Sequence, residues 1–228
     1  MKFATVVLLG ILLLGSSVSL NAQSAAISQS LSLNAQPAAI SQVVAAYINE
    51  TPLPDPIPND GNTGLCLTYY TMIGDLGLNS LFMLDKGSPQ VDRQHAYFIW
   101  VSDYIWQNVP ANPNNTVFSF TMILQGTATI YYTAHPELRV FDSTKDPTRS
   151  TWGDPVAKFV RKTGMFQSLD GGNSGTFANT AELVSSKPFP FQGKTFNLKD
   201  VIPQGMTCFE TISGSYEAGT CIAIGGGK

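Results

Sequence analysis

Aromatic residues crowd the part of this chain best suited to holding a small molecule. Tyr97, Trp100 and Tyr104 fall in residues 95–105, and Phe118, Phe120, Tyr131 and Tyr132 in the two apolar runs that follow. Such rings pack across strands in any β core. Gathered at one end of a closed sheet, they would instead line a pocket for a small apolar ligand, with tyrosine hydroxyls as polar handles. Tyr97, Trp100, Phe118, Phe120 and Tyr132 are the residues expected to form it. Asp103, between Ser102 and Tyr104, is the carboxylate best placed for proton chemistry. On an inner face desolvation would raise its pKa and suit it to general acid or base work. On an outer face it is a solvated surface group.

Other chemistries find less support. His95 and His135 stand far apart, and no His-x-His or Cys-x-x-Cys unit is present, so no metal site is expected. There is no Gly-x-Ser-x-Gly elbow and no glycine-rich phosphate loop leading into a helix, and no cofactor is expected. A net charge of −3 without a basic cluster argues against nucleic acid.

The elements that must position these residues begin after a long preamble. Lys2, the apolar stretch 6–14 and the small residues Ser17-Val18-Ser19 read as a signal peptide over residues 1–22, too short to span a bilayer. Residues 23–63 read as a Ser/Ala/Pro-rich linker in which residues 17–29 are nearly repeated at 30–42. A folded domain is expected over residues 64–228, secreted and without a membrane span. Charged residues make up 13% of the chain, about half the usual share, which leaves Ser, Thr, Asn and Gln to cover the surface. Asn49 and Asn114 head glycosylation sequons. Three cysteines in an oxidising compartment leave one thiol over. Cys66 bridged to a C-terminal partner would pin both ends of the domain, and a Cys208–Cys221 bridge across adjacent strands is the alternative.

Within the domain the pattern is that of strands. Short β-rich runs are expected at residues 67–73, 79–84, 95–105, 116–124, 127–133, 156–160, 176–184, 195–198, 206–212 and 221–224, with Gln125-Gly126 as a hairpin turn. Phe118, Phe120, Met122 and Leu124 share a fully apolar face, which is expected to be the buried one. Residues 136–153 read as a polar loop, and a weak helical pattern runs through residues 38–48. Thr163-Gly164-Met165-Phe166 with Gly171-Gly172 beyond suggests a tight turn that anchors Phe166 inside. This many short strands with glycine turns and little helix points to a closed antiparallel β-barrel of about eight strands, with a β-sandwich as the alternative.

Phe118-Ser119-Phe120, Gly126-Thr127, and Thr163-Gly164-Met165-Phe166 with Gly171 follow one another in an order that resembles the allene oxide cyclase/dirigent barrel family. The likeness covers residues 116–183. Arg161 and Lys162 stand where that family has leading glycines, and Leu169 where it has alanine. The resemblance implies a barrel that holds a hydrophobic or phenolic molecule and orients a reactive intermediate without a cofactor. A non-catalytic binding or structural module and a lipocalin-like carrier are the competing expectations. Oligomeric state is not specified by any of these features.

Overall fold

Val43-Val44-Ala45-Ala46-Tyr47 is rich in β-branched and apolar residues, and it starts a strand where the linker was expected. In the computed structural model, residues 43–53, 63–83, 95–109, 119–142, 144–168, 170, 173–214 and 216–224 are described. The signal peptide, the duplication, Asn114, Phe118 and Gly171 lie outside them. The barrel strands are β1 (Val43–Leu53), β2 (Thr63–Ile73), β3 (Phe98–Val109), β4 (Ser119–Tyr132), β5 (Asp154–Ser168) and β6 (Ser174–Ser186). A small hairpin follows, β7 (Phe189–Phe191) with β8 (Lys194–Phe196), and then β9 (Gly205–Ser213) and β10 (Tyr216–Ala223) return to the barrel.

Eight strands close on themselves in the order β1-β10-β9-β6-β5-β4-β3-β2, each antiparallel to its neighbours. Closure satisfies both edges of every strand and leaves none open to pair with another chain. The strand β1 makes that closure, pairing with β10 on one side and β2 on the other, so the domain starts at least by Val43 and not at Gly64. Residues 43–48 are strand because Val44, Ala45 and Tyr47 bury their side chains against the barrel, which overrides the weak helical pattern. Asn49 lies in this strand at a register shift against β2, not in a loop.

Three other expectations are corrected. Leu78–Leu81 forms one helical turn, and only Phe82 bridges to Ala96 where a strand was expected. Gln125-Gly126 is no hairpin turn, because β4 runs through it without a break. Thr163, Gly164 and Phe166 likewise lie inside β5, and the chain reverses only beyond Ser168. Both glycines serve close approach, not turning. A Cβ on Gly126 would sit 2.6 Å from the Asp103 carbonyl oxygen, and one on Gly164 2.8 Å from the Ile123 side chain.

Cys208 and Cys221 face each other on β9 and β10 and form the disulfide. Cys66 is buried and takes no part in a disulfide. The bridge to Cys66 fails on topology: β2 and β9 are not neighbours in the sheet.

The outer loop 136–153 is organised by two buried charges. Arg139 donates to the carbonyls of Ala96, Tyr97 and Trp152, and burial pulls its pKa down to about 10. The Asp146 carboxylate accepts from the backbone N–H groups of Ser150 and Thr151, each at 2.8 Å, and from both hydroxyls. The Thr151 backbone bond is the largest influence holding Asp146 well below the usual carboxylate range. Asp142 and Asp170 are held down to about 2, chiefly by the hydroxyls of Thr144 and Ser174. A carboxyl whose pKa is lower folded than unfolded stabilises the fold above its unfolded value, about 3.9 for Asp, and that contribution is lost as pH falls through the folded value. Stability is therefore expected to decline from about pH 4 downwards. Asp146→Asn, neutral throughout, should be less stable than the parent at pH 6, with the gap narrowing by pH 2 in thermal melts. A gap that stays constant with pH would contradict this assignment.

Candidate functional site

Strand alternation builds the barrel interior. On β5, Lys158 and Lys162 are exposed, and Lys162 pairs with Glu182 at 2.7 Å on the outside. Period two then turns Ala157, Phe159 and Arg161 inward, and all three are buried. On β3 the same rule points Phe98, Trp100, Ser102 and Tyr104 inward. Asn179 enters from β6, and Met206, Cys208 and Glu210 from β9.

These residues stack into three levels. One end of the barrel is closed by rings: Phe98 lies 5.3 Å from Tyr132, 5.5 Å from Phe189 and 5.0 Å from Phe191, so the β7–β8 hairpin plugs this mouth. The middle level is polar. Arg161 is only 7% exposed, and its Nη2 donates to Ser102 Oγ at 3.0 Å while Trp100 Nε1 donates to the same oxygen. The rings of Tyr104 and Phe177 lie 5.7 and 5.6 Å from the guanidinium carbon, close enough for cation–π attraction. Asn179 Nδ2 donates to Glu210 Oε1 at 2.9 Å. A void of about 20 Å³ beside Arg161, Asn179 and Glu210 has room for one water.

The third level is a cavity of about 330 Å³ at the opposite end, open to solvent. Its walls are Tyr104, Trp106, Ile123, Phe166, Phe177 and Ile212, with Cys66, Thr121, Glu217 and Arg161 among them. Cys66 Sγ lies 3.1 Å from the Tyr104 hydroxyl. Arg161 thus forms the floor of this cavity and the roof of the small void. Such a chamber, apolar with a few inward polar groups, can hold a small amphipathic molecule.

The expected site residues scatter. Trp100 is interior but stacked on Phe159 at 4.8 Å, below the cavity. Tyr97 and Tyr132 belong to the plugged end, each against Phe191. Of Phe120 only the backbone is described, paired with Val109 and Gln167. The face expected to be buried is the outer one: Met122 is 41% exposed and Leu124 52%, whereas Thr121 and Ile123 line the cavity. A register shift opposite Ile105 and Trp106 adds a residue to β4 there, so Ile123 and Ala128 both turn inward despite their odd spacing. Asp103 is exposed on the outside, and Ser102 takes the inner position beside it, which removes the proposed proton donor from the interior. Phe166 does reach the cavity, from a strand position.

Arg161, Glu210 and Glu217 were not anticipated. For Arg161 a signal existed, since two lysines flanking it at Lys158 and Lys162 can both reach water only if it faces in. Glu210 carried no such signal, because its neighbour Phe209 has the more apolar side chain and yet is 51% exposed. Among the described residues no group of three metal-ligating side chains comes together, and no helix is long and apolar enough to cross a membrane. Comparison with protein-family models, with curated proteins and with solved structures finds no match to this chain.

Proposed function

We propose that this is a secreted barrel that binds a small hydrophobic or phenolic molecule in the 330 Å³ end cavity and orients it for reaction. The observation that carries this reading is the cavity itself: six apolar or aromatic walls over a buried guanidinium. Its resemblance to the allene oxide cyclase/dirigent barrels points the same way. Rate enhancement would come from holding one conformer away from water. The Tyr104 hydroxyl, the Cys66 thiol and Glu217 are the nearby groups able to move a proton.

The test uses N-phenyl-1-naphthylamine, a neutral probe that fluoresces in apolar surroundings. Thr121→Trp, which fills the cavity from β4, is expected to weaken its binding about tenfold or more, since the lost apolar contact exceeds 1.4 kcal/mol. Unchanged binding would place the probe on the outer surface and refute the reading. Native mass spectrometry of protein secreted by its own host would show whether a small molecule is retained.

A second reading, a binding or structural module without a reaction, is favoured by one observation. Met122, Met165, Ala178 and Phe209 are successive register partners across β4, β5, β6 and β9, and three of them are exposed large apolar residues on the outer face. Phe209→Glu would abolish partner capture under that reading and leave cavity binding intact.

A further inference from the structure

Three ionisable side chains of the barrel interior, Arg161, Glu210 and Glu217, are only 7%, 6% and 9% exposed. Arg161 and Glu210 line the same small void, and Arg161 and Glu217 line the end cavity. Strand register sets the two carboxylates close together. Glu217 on β10 is the partner of Ile212 on β9, two residues on from Glu210, which makes the pair diagonal neighbours on the inner face, about 7–8 Å apart along the backbone. Among the described residues lining the two chambers Arg161 is the one cation, so a single guanidinium is set against two carboxylates. Like charges held that close in a low-dielectric interior repel, and one cation offsets only one of them. Arg161 is fixed at the floor by Ser102 and by the rings of Tyr104 and Phe177. Glu217 belongs to the cavity wall, which it shares with the aromatic side chains Tyr104, Trp106, Phe166 and Phe177.

We infer that the cavity takes a protonated amine on an aromatic or hydrocarbon body, its ammonium group donating to the Glu217 carboxylate while the body lies against Trp106, Ile123, Phe166 and Ile212. The inference rests on the binding reading above and names the ligand class within it. An ammonium N–H donating to a carboxylate makes a charge-assisted hydrogen bond, about twice as strong as a neutral one. Aromatic rings in the wall add cation–π attraction, which favours a cation over a neutral or anionic group. One positive charge brings the interior to two cations against two carboxylates. Arg161 at the floor repels a second cationic group placed deeper, and so limits the ligand to one charge, at the wall. The mostly apolar walls offer too few oxygens to strip the water from an inorganic cation, which selects an organic one.

The experiment compares 2-naphthylmethylamine, 2-naphthylmethanol and 2-naphthoate, which share a ring system and differ in charge. They are measured as displacers of N-phenyl-1-naphthylamine and directly by calorimetry, at neutral pH where the amine is protonated. With the wild-type protein the amine should bind about ten- to a hundredfold tighter than the alcohol, the usual worth of a charge-assisted hydrogen bond, and the acid should bind weakest. In Glu217→Gln the amine and the alcohol should fall within about threefold of one another. Equal binding of amine and alcohol by the wild-type protein, or tightest binding of the acid, would overturn the inference and leave the apolar cavity reading standing. A preference for the amine that survives in Glu217→Gln would also overturn it, because the charge would then be read elsewhere. Failure of all three molecules and of the neutral probe to bind would overturn both readings. Should Glu217→Gln not fold, the wild-type comparison decides alone.

Discussion

Phe98→Ala is expected to lower the unfolding free energy by about 3–5 kcal/mol, the range for deleting a buried phenylalanine. Phe98 is 1% exposed and sits at the centre of the plugged end, touching the rings of Tyr132, Phe189 and Phe191. Little nearby can collapse into the space, because Phe189 and Phe191 are fixed by the short β7–β8 ladder and by Phe196 behind them. The cost should therefore fall towards the upper part of that range. Urea denaturation followed by fluorescence would measure it. A loss below about 1 kcal/mol would mean that the hairpin is not seated in the barrel mouth. Binding in the opposite cavity should persist under conditions where the variant is folded.

The second large effect falls in the polar middle of the barrel. Arg161→Met is expected to lower the unfolding free energy by about 1.5–3 kcal/mol, the range for losing a charged hydrogen bond, because it also removes a cation that lines the same void and cavity as the buried Glu210 and Glu217. Ser102 would keep a partner, since Trp100 Nε1 also donates to its hydroxyl, but two buried carboxylates would lose a compensating charge. Methionine also forfeits the cation–π attraction to the rings of Tyr104 and Phe177. Urea denaturation of this variant beside Arg161→Lys, which keeps the charge, would measure the loss, and the lysine should recover part of it. A variant more stable than the parent would show that the guanidinium is a cost to the fold and that the two carboxylates do not depend on it.

Much of the architecture was legible beforehand. Period-two runs, glycine-rich punctuation and the scarcity of helical pattern pointed to a closed antiparallel barrel of about eight strands, and that is the fold. Placement of the site was less legible. Gly126 and Gly164 signal turns in a local reading, yet each sits mid-strand because a neighbouring strand crosses too closely for a side chain. The faces of β4 were inverted for a similar reason, as one added residue resets the alternation and no single-strand pattern records it. Tyr97 and Trp100 were grouped by composition, but the barrel sends one to its plug and the other to its polar middle.

The order and period of the residues determined the class of the fold, because alternation along a strand is a local property that every segment carries for itself. They also limited the disulfide to a few pairings and left one thiol over. Tertiary structure alone decided which cysteine that was, which end of the barrel is filled, and that Arg161, Glu210 and Glu217 face inward while Asp103 faces out. Those outcomes depend on register and closure, which are set by contacts between residues far apart in the chain and so have no short-range signature.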